Sequence, residues 1–295
     1  MLLIFVLVNV AFITLLERKI LGYSQSRLGP NKPSFIGLLQ PIADAVKLFT
    51  KNFIVSYKTI KVVFFFSPII RLSLVLWIWI IVPNEFKILN FIFSSILLLI
   101  ILSLNVYPLL LRGWASKNKY SIFGALRRIA QTISYEISLA LILLAILVYY
   151  IRLSFDNFVV NKGFCIMLLL NPFIFSIWLI SRLAETNRTP FDFSEGEREL
   201  VSGFNTEYRA GGFAIIFMAE YGSIYFLRII TRLIFCFSIN YFLTSIFTSS
   251  LVFAWVWIRT TFPRYRYDLL INLAWKRILP YILSLLILII RINNL

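Results

Sequence analysis

The sequence predicts an all-α, polytopic membrane protein with about eight transmembrane helices and one amphipathic helix at the membrane surface. Two observations support this fold class. The chain of 295 residues is 60% hydrophobic and 14% charged, with a mean hydropathy of +0.87, so it has more apolar surface than one soluble core can bury. Its apolar runs are about 20 residues long and do not alternate strictly, which suits membrane helices rather than the strands of a barrel.

Eight apolar segments are the predicted spans. They cover residues 1–20, 62–82, 88–111, 126–151, 163–183, 211–230, 233–258 and 273–291, within a single membrane domain of residues 1–295. Met1–Leu16 has no basic region before it and no small-residue cleavage site after it, so we expect a first transmembrane helix rather than a signal peptide. Arg228 and Arg232 are the only interruption between the sixth and seventh spans.

The distribution of positive charge predicts the orientation. Of the 29 Lys and Arg residues, 22 lie in or beside segments 17–61, 112–128, 182–209 and 259–277, which alternate loops place on one side. The positive-inside rule puts that side in the compartment of synthesis, cytoplasm or mitochondrial matrix, and both termini on the other. The net charge of +16 therefore describes a cationic rim that suits anionic lipids and acidic partner proteins rather than nucleic acid.

Residues 35–51 are predicted to form an interfacial amphipathic helix. Apolar residues recur at helical spacing on one face, while polar residues fall on the other. The apolar set is Phe35, Leu38, Leu39, Ile42, Val46 and Phe49, and the polar set is Gln40, Asp44, Lys47 and Lys51. Periodicity alone leaves two interpretations open: a helix that only lies among the headgroups, or one wall of a site for a lipid substrate.

The composition argues against a redox metal in this chain. It has no histidine, and its two cysteines, Cys165 and Cys236, lie far apart within apolar runs. Haem and zinc sites usually need His or Cys ligands, and an iron–sulfur cluster generally needs four thiolates. Any electron carriers are therefore expected on partner proteins, and no disulfide is expected.

Two glutamates stand alone in predicted spans. Glu136 lies in the fourth span and Glu220 in the sixth, and an ionisable group in a bilayer normally faces the bundle interior and has a function. With no histidine, a proton relay would have to use such carboxylates, Lys, Tyr and water. A packing role remains the alternative for both. Arg71, in the second span, is assigned no function.

Acidic residues are concentrated after the fifth span. The segment 184–210 contains Glu185, Asp192, Glu195, Glu197, Glu199 and Glu207, interleaved with Arg188, Arg198 and Arg209. A solvated charged loop is one interpretation. The apolar residues in the same segment favour another, a loop folded back onto protein, where neighbouring carboxylates titrate together.

The same segment carries a family resemblance. The run AETNRTPFDFSEGERELVSGFNTEY, residues 184–208, resembles the signature loop of subunit 1 of respiratory complex I, the mitochondrial NADH dehydrogenase chain 1. Four further motifs follow the family order: ERKILGYSQSRLGPNKP with GLLQPIADAVKLFTK, RGWASKNKYSIFGALRRIAQTISYE, FMAEY and WIRTTFPRYRYD. The resemblance implies eight transmembrane helices and a subunit that encloses a ubiquinone chamber together with hydrophilic partners.

The resemblance also implies roles for particular residues. The quinone chamber would be lined or gated by Glu17, Arg18, Arg27, Asp44, Phe217 and Arg259. The acidic path for proton coupling would comprise Glu136, Glu185, Asp192, Glu195, Glu197, Glu199, Glu207 and Glu220, with Arg127 and Arg188.

As the resemblance implies, the complex is an NADH:ubiquinone reductase that translocates protons across the mitochondrial inner membrane, with the charged loops in the matrix. Ubiquinone would be its substrate, and FMN and iron–sulfur clusters would be held by partner subunits. Other complex I subunits and anionic lipids such as cardiolipin are the expected partners, and this chain would hold no metal.

Four arginines depart from the family pattern, and two other functions predict different features of the sequence. Arg112, Arg182, Arg198 and Arg209 are cations added relative to animal mitochondrial members, so equal roles for all six acids of the loop are in doubt.

A secondary transporter or channel would show internal repeats and work without partners. The membrane anchor of an energy-converting hydrogenase would lack so complete a loop as residues 184–208.

Overall fold

A computed structural model describes residues 2–53, 57–82, 93–150, 155, 172–192, 207–235 and 241–294. Regular secondary structure within these ranges is helical throughout. The helices are α1 (Leu2–Ser24), α2 (Gln40–Thr50), α3 (Lys61–Ile78), α4 (Ser94–Leu104), α5 (Val106–Ser116), α6 (Lys119–Tyr150), α7 (Pro172–Glu185), α8 (Ala210–Phe235), α9 (Tyr241–Thr261), α10 (Tyr267–Asn272) and α11 (Leu279–Asn294). Short 3₁₀ turns occur at Phe35–Gly37 and Trp79–Ile81, and a π turn at Leu273–Ile278 joins α10 to α11.

The helices confirm the fold class. Five stretches of the described residues are long and apolar enough to cross a membrane: Lys61–Ile81, Ser94–Ser116, Lys119–Val148, Ala210–Phe235 and Tyr267–Arg291. Helix α1 has 23 residues but carries Glu17, Arg18 and Lys19 in succession in its second half. The count of eight spans and their boundaries remain predictions.

Two helices differ in extent from the sequence pattern. Helix α2 begins at Gln40 rather than residue 35, because Ile36 and Gly37 adopt left-handed φ angles of 60° and 76° that a right-handed helix cannot include. Helix α8 continues to Phe235, so Arg228 and Arg232 do not interrupt it. Arg228 is buried, and its guanidinium lies 5.5 Å from the Trp255 ring centroid, which explains why a cation is tolerated inside this helix.

Helices α6 and α8 lie at the centre of the bundle. Helix α6 packs against α5, α7 and α11, while α8 packs against α1, α2, α3 and α9. The buried stripe of α6 follows helical spacing and comprises Ser121, Ala125, Arg128, Gln131, Tyr135, Ser138 and Ile142. Large apolar side chains on the outer faces, such as Phe5, Phe173 and Phe253, are exposed, as expected of surfaces that face lipid.

Helices α5 and α6 cross closely at Gly113. A Cβ atom at this position would lie 2.3 Å from the Cβ of Ala125, well inside van der Waals contact. We expect Gly113→Ala to lower the free energy of unfolding by about 1–3 kcal/mol, because the two helices must move apart. Adding Ala125→Gly should recover most of this loss, as read from the thermal unfolding midpoint. Equal midpoints for Gly113→Ala and the native chain would contradict the close crossing.

Candidate functional site

Glu17 is the centre of a buried polar cluster. Its Oε1 accepts a hydrogen bond from Arg259 and lies 3.7 Å from Nη1 of Arg188. Its Oε2 accepts a hydrogen bond of 2.7 Å from the hydroxyl of Tyr221. The Arg188 guanidinium also stacks 4.6 Å from the centroid of the Tyr221 ring. One carboxylate on α1 thus holds together side chains from α8, from the end of α9 and from the turn after α7.

This cluster borders an inner cavity of about 260 Å³, called the large cavity because it is the larger of two inner cavities that share Glu220. Its walls are contributed by α1, α6, α8, α9 and the turn after α7. The lining residues are Thr14, Glu17, Arg18, Leu21, Arg128, Thr186, Asn187, Arg188, Phe217, Glu220, Tyr221 and Arg259. Four arginines and two glutamates line the large cavity, so the charge of its lining is positive.

Helix α8 supplies both an apolar and a polar part of this wall. Phe217, Glu220 and Tyr221 are spaced three and four residues apart and therefore share one helix face. The Phe217 ring lies 4.4 Å from that of Phe213 and 6.2 Å from that of Tyr221. The wall can therefore contact a flat ring through aromatic faces and its polar atoms through Tyr221.

Glu220 is paired with arginines from two other helices. Its Oε1 lies 3.0 Å from Nη1 of Arg128 on α6 and 3.8 Å from Nη1 of Arg71 on α3. All three side chains are buried. This triad therefore ties α3, α6 and α8 together inside the bundle.

The small cavity is also lined by Glu220 and has a volume of about 30 Å³, close to that of one water molecule. Its lining includes Arg71, Asn105, Thr132, Glu136, Glu185 and Ser223. Arg128, Thr186, Asn187 and Glu220 line both cavities. Glu136, Glu185 and Glu220 therefore border the same small cavity.

The turn after α7 is held by the side chain of Gln131. This buried amide donates hydrogen bonds to the carbonyls of Ala184 (2.8 Å) and Phe191 (3.1 Å). Those two contacts hold both ends of the segment from Ala184 to Phe191, which contains Arg188 and is followed directly by Asp192. Asp192 lies 3.7 Å from Arg264, and burial raises the pKa of its carboxyl although the neighbouring arginines lower it.

An outer cavity of about 560 Å³ adjoins the large cavity. It is lined by Leu21, Ser24, Gln25, Thr189, Trp257, Arg259, Thr260 and Thr261. Leu21 and Arg259 line both the outer and the large cavities. The side chain of Arg259 therefore stands between the Glu17 cluster and the more open space outside it.

Three predicted chamber residues lie at the edge of the large cavity or beyond it. Arg18 lines the cavity and pairs with Asp44 of α2 at 2.5 Å. Within α2, Gln40 donates a hydrogen bond of 2.8 Å to the same carboxylate, and the ion pair of Arg18 with Asp44 links α2 to α1. Arg27 is exposed in the turn after α1 and is not among the residues that line the three cavities described above.

Some residues of the predicted acidic path lie elsewhere. Glu207 accepts a hydrogen bond of 3.0 Å from Asn118, beside Tyr208, whose ring stacks on Phe64 at 4.0 Å. Arg127 is half-buried on another side of α6, near Tyr267. Glu195, Glu197 and Glu199 lie outside the described residues.

The structure adds residues that the sequence pattern did not single out. Arg128, rather than Arg127, faces the two cavities, and Tyr221 is hydrogen-bonded to Glu17. A signal for Arg128 was present, because it lies three residues before Gln131 and seven before Tyr135 on the buried stripe of α6. The bond from Tyr221 to Glu17 joins residues 204 positions apart, which no local pattern indicates.

Comparison with known proteins places this architecture in a family. The family model described as NADH dehydrogenase matches residues 1–290. NADH-ubiquinone oxidoreductase chain 1 of Aedes aegypti is 48% identical over 97% of this chain and 92% of the relative. The proteins of the same name from Locusta migratoria and Phascolarctos cinereus are each 46% identical, over 97% and 95% of this chain and 91% and 90% of the relatives.

The match covers all the elements that build the Glu17 cluster and the two inner cavities. It also includes the acidic segment after α7, on which the resemblance seen in the sequence was based. The chain therefore belongs to the NADH dehydrogenase family, in the group of NADH-ubiquinone oxidoreductase chain 1.

Proposed function

We propose that this chain is the quinone-site membrane subunit of a proton-translocating NADH-ubiquinone oxidoreductase in the mitochondrial inner membrane. Its large cavity forms the membrane part of the quinone chamber, which hydrophilic partner subunits complete. Its charged loops face the matrix, and both termini face the intermembrane space. Family membership and the cationic, aromatic-walled cavity around Glu17 support this proposal.

The chemistry of the large cavity suits a quinone head group. Quinone carbonyl oxygens accept hydrogen bonds, and the guanidinium groups of Arg188 and Arg259 at the wall each carry several N–H donors. Reduction places negative charge on those oxygens, which cationic side chains in a site shielded from water stabilise. The chain's own contribution is therefore to orient the ring and compensate its charge.

Electron carriers belong to other subunits in this proposal. FMN and iron–sulfur clusters on hydrophilic partners deliver electrons to ubiquinone, and this chain holds no redox centre. The outer cavity and the amphipathic helix α2, which is joined to α1 by the pair of Arg18 and Asp44, frame the entrance from the lipid. Anionic lipids such as cardiolipin bind the cationic rim.

The acidic path begins where the two inner cavities meet. The proposed position of the path is supported by the four residues that line both cavities, one of which is Glu220. From there the path continues to Glu136 and Glu185 and on toward neighbouring membrane subunits. Proton coupling is then an electrostatic response of these carboxylates to charge on the quinone.

Replacing Arg259 by Ala tests the chamber. In the proposed chamber Arg259 donates a charge-assisted hydrogen bond to the quinone, and losing such a bond costs about 1.5–3 kcal/mol. We therefore expect quinone reduction by the assembled complex to fall about tenfold or more. Electron transfer from NADH to a hydrophilic acceptor should survive, because it does not use the chamber. The resemblance implies the same result for Arg27→Ala.

Arg266→Ala is the matched control, because this side chain is 80% exposed and pairs only with the equally superficial Asp268 among the ion pairs of the described residues. Its quinone reductase activity should equal that of the native complex. Equal loss of both activities in fully assembled Arg259→Ala complex would count against the chamber.

A further inference from the structure

Gln131 on α6 is a fully buried amide that holds two points of another part of the chain. Its Nε2 donates one hydrogen bond of 2.8 Å to the carbonyl of Ala184 and one of 3.1 Å to the carbonyl of Phe191. Ala184 lies at the end of α7, and Phe191 lies beyond the turn that follows it. One nitrogen atom therefore joins both ends of the segment 184–191 to α6.

The chemistry of this contact suits few other side chains. Two carbonyl oxygens require two donors, and a primary amide carries both donors on one uncharged nitrogen. A hydroxyl supplies a single donor, whereas Lys or Arg would add a further charge at a fully buried position. An apolar side chain would leave two carbonyls with fewer partners. The contribution of Gln131 is therefore to hold the segment 184–191 in place without changing the charge around it.

Arg188 lies near the middle of the held segment. Its guanidinium reaches the large cavity, where Nη1 lies 3.7 Å from Oε1 of Glu17 and the group stacks 4.6 Å from the centroid of the Tyr221 ring. A small displacement of the backbone moves the end of a long side chain away from the group that it contacts, and such displacements are costly in a reaction site. The position of Arg188 in the cavity wall therefore depends on the backbone that Gln131 holds.

We infer that Gln131 is a positioning residue for quinone reduction, because it holds Arg188 toward the quinone head group in the large cavity. This inference rests on the proposed function of that cavity as the quinone chamber. Gln131 is not among the residues that line the large cavity, so its effect passes through the segment 184–191. The family resemblance gave Gln131 no role.

The far end of the held segment has further contacts that do not involve Gln131. The carbonyl of Pro190 accepts a hydrogen bond of 2.9 Å from the backbone N–H of Tyr265, and Asp192 lies 3.7 Å from Arg264. These contacts remain when the amide is removed. Loss of the amide is therefore expected to shift the segment without unfolding it, so that the chamber remains and the cation is misplaced.

The experiment uses Gln131→Met and Gln131→Glu in the purified, assembled complex. Met retains the length of the side chain and loses both donors, whereas Glu keeps the shape of Gln and offers at most one donor. Ser138→Ala is the matched control, because this buried hydroxyl on α6 donates to the carbonyl of Tyr135 within the same helix. Two activities are measured: oxidation of NADH by a hydrophilic acceptor, and kcat/KM for a short-chain ubiquinone analogue.

We expect Gln131→Met to lower kcat/KM for the quinone analogue about threefold to tenfold, the range that corresponds to the loss of one or two hydrogen bonds. Oxidation of NADH by the hydrophilic acceptor should be unchanged. Gln131→Glu should lose less activity than Gln131→Met, and Ser138→Ala should match the native complex. Native kcat/KM in the assembled Gln131→Met complex overturns the inference.

A double-substitution cycle with Arg188→Ala tests whether Gln131 acts through Arg188. If it does, Gln131→Met causes little further loss once Arg188 has been replaced, so the two losses do not multiply. In the parallel cycle with Arg18→Ala, a residue of the same cavity wall on α1, the two losses should multiply. Losses that multiply in the Arg188 cycle show a general structural effect and contradict the positioning role.

Assembly of each variant is measured first on native gels. If Gln131→Met does not assemble, Gln131→Glu takes its place in the same cycles, and native kcat/KM or multiplying losses with Arg188→Ala in that variant contradict the inference. Arg188→Ala alone separates the two proposals. Native quinone kinetics in Arg188→Ala count against the chamber itself, whereas a loss there together with native kinetics in Gln131→Met rejects only the positioning role.

Discussion

Replacing Glu17 by Ala is expected to cause a large loss of stability. The change removes the acceptor shared by Arg188, Tyr221 and Arg259, and leaves two cations without their carboxylate in a partly buried site. Removing one partner of a buried ion pair typically costs about 3–5 kcal/mol. We therefore expect little assembled complex, and a lower temperature of thermal inactivation for whatever assembles.

Comparing Glu17→Ala with Glu17→Gln separates the effect of losing the negative charge from the effect of losing the side chain. The amide keeps an oxygen that accepts a hydrogen bond from Arg259 or Tyr221, but it does not compensate the arginines. We expect Glu17→Gln to assemble better than Glu17→Ala and still to reduce quinone slowly. Native gels report assembly, and thermal inactivation reports stability. If Glu17→Ala assembled and reduced quinone normally, the Glu17 cluster would have no role in the site.

The sequence predicted the helical architecture, because a lipid bilayer requires long apolar helices and their segments are visible in the sequence. A helix must satisfy its own backbone in a bilayer, so long apolar runs identify helices such as α3, α6 and α8 with little ambiguity. Glu220 could also be singled out, since a lone acid in such a run is costly. The structure places Glu220 at the junction of the two inner cavities.

Finer details of the structure depend on the rotation of a helix by one residue and on contacts between residues far apart in the chain, which local patterns do not indicate. Arg127 and Arg128 differ by about 100° around α6, so choosing between them needs the register of the buried stripe. Arg228 and Arg232 resembled a helix boundary, but the ring of Trp255 on another helix accommodates Arg228 inside α8. This contact between two helices depends on the tertiary structure, so the local sequence does not indicate it.

The contacts within the Glu17 cluster are also beyond what local sequence patterns can predict. Arg259 is 242 residues from Glu17 in the chain, and its contact depends on how α1 and α9 pack together. Each residue fell in a motif that resembles the family, yet no spacing indicated that they touch. The resemblance supplied the candidate residues, and the packing of the helices determined which of them meet.

Glu136 in α6 and Glu220 in α8 are each the single acidic residue of a long apolar helix. Replacing either by Gln keeps the size and much of the hydrogen-bonding capacity, but the side chain can no longer bind and release a proton. We expect coupled turnover to fall in both variants. Quinone reduction and proton uptake are measured together in reconstituted vesicles, with Asp268→Asn, an exposed acid, as the control.

The two variants should differ in stability, because their surroundings differ. Glu136 is half-buried at the small cavity, whereas Glu220 compensates Arg71 and Arg128. Glu220→Gln therefore leaves two buried cations beside a neutral amide, and it should assemble less well than Glu136→Gln. If Glu136→Gln assembles fully yet turns over slowly, titration rather than packing is the function of that carboxylate. Unchanged turnover with an unchanged proton-to-electron ratio at either position would make that glutamate structural, and the path from the large cavity would have to run through other groups.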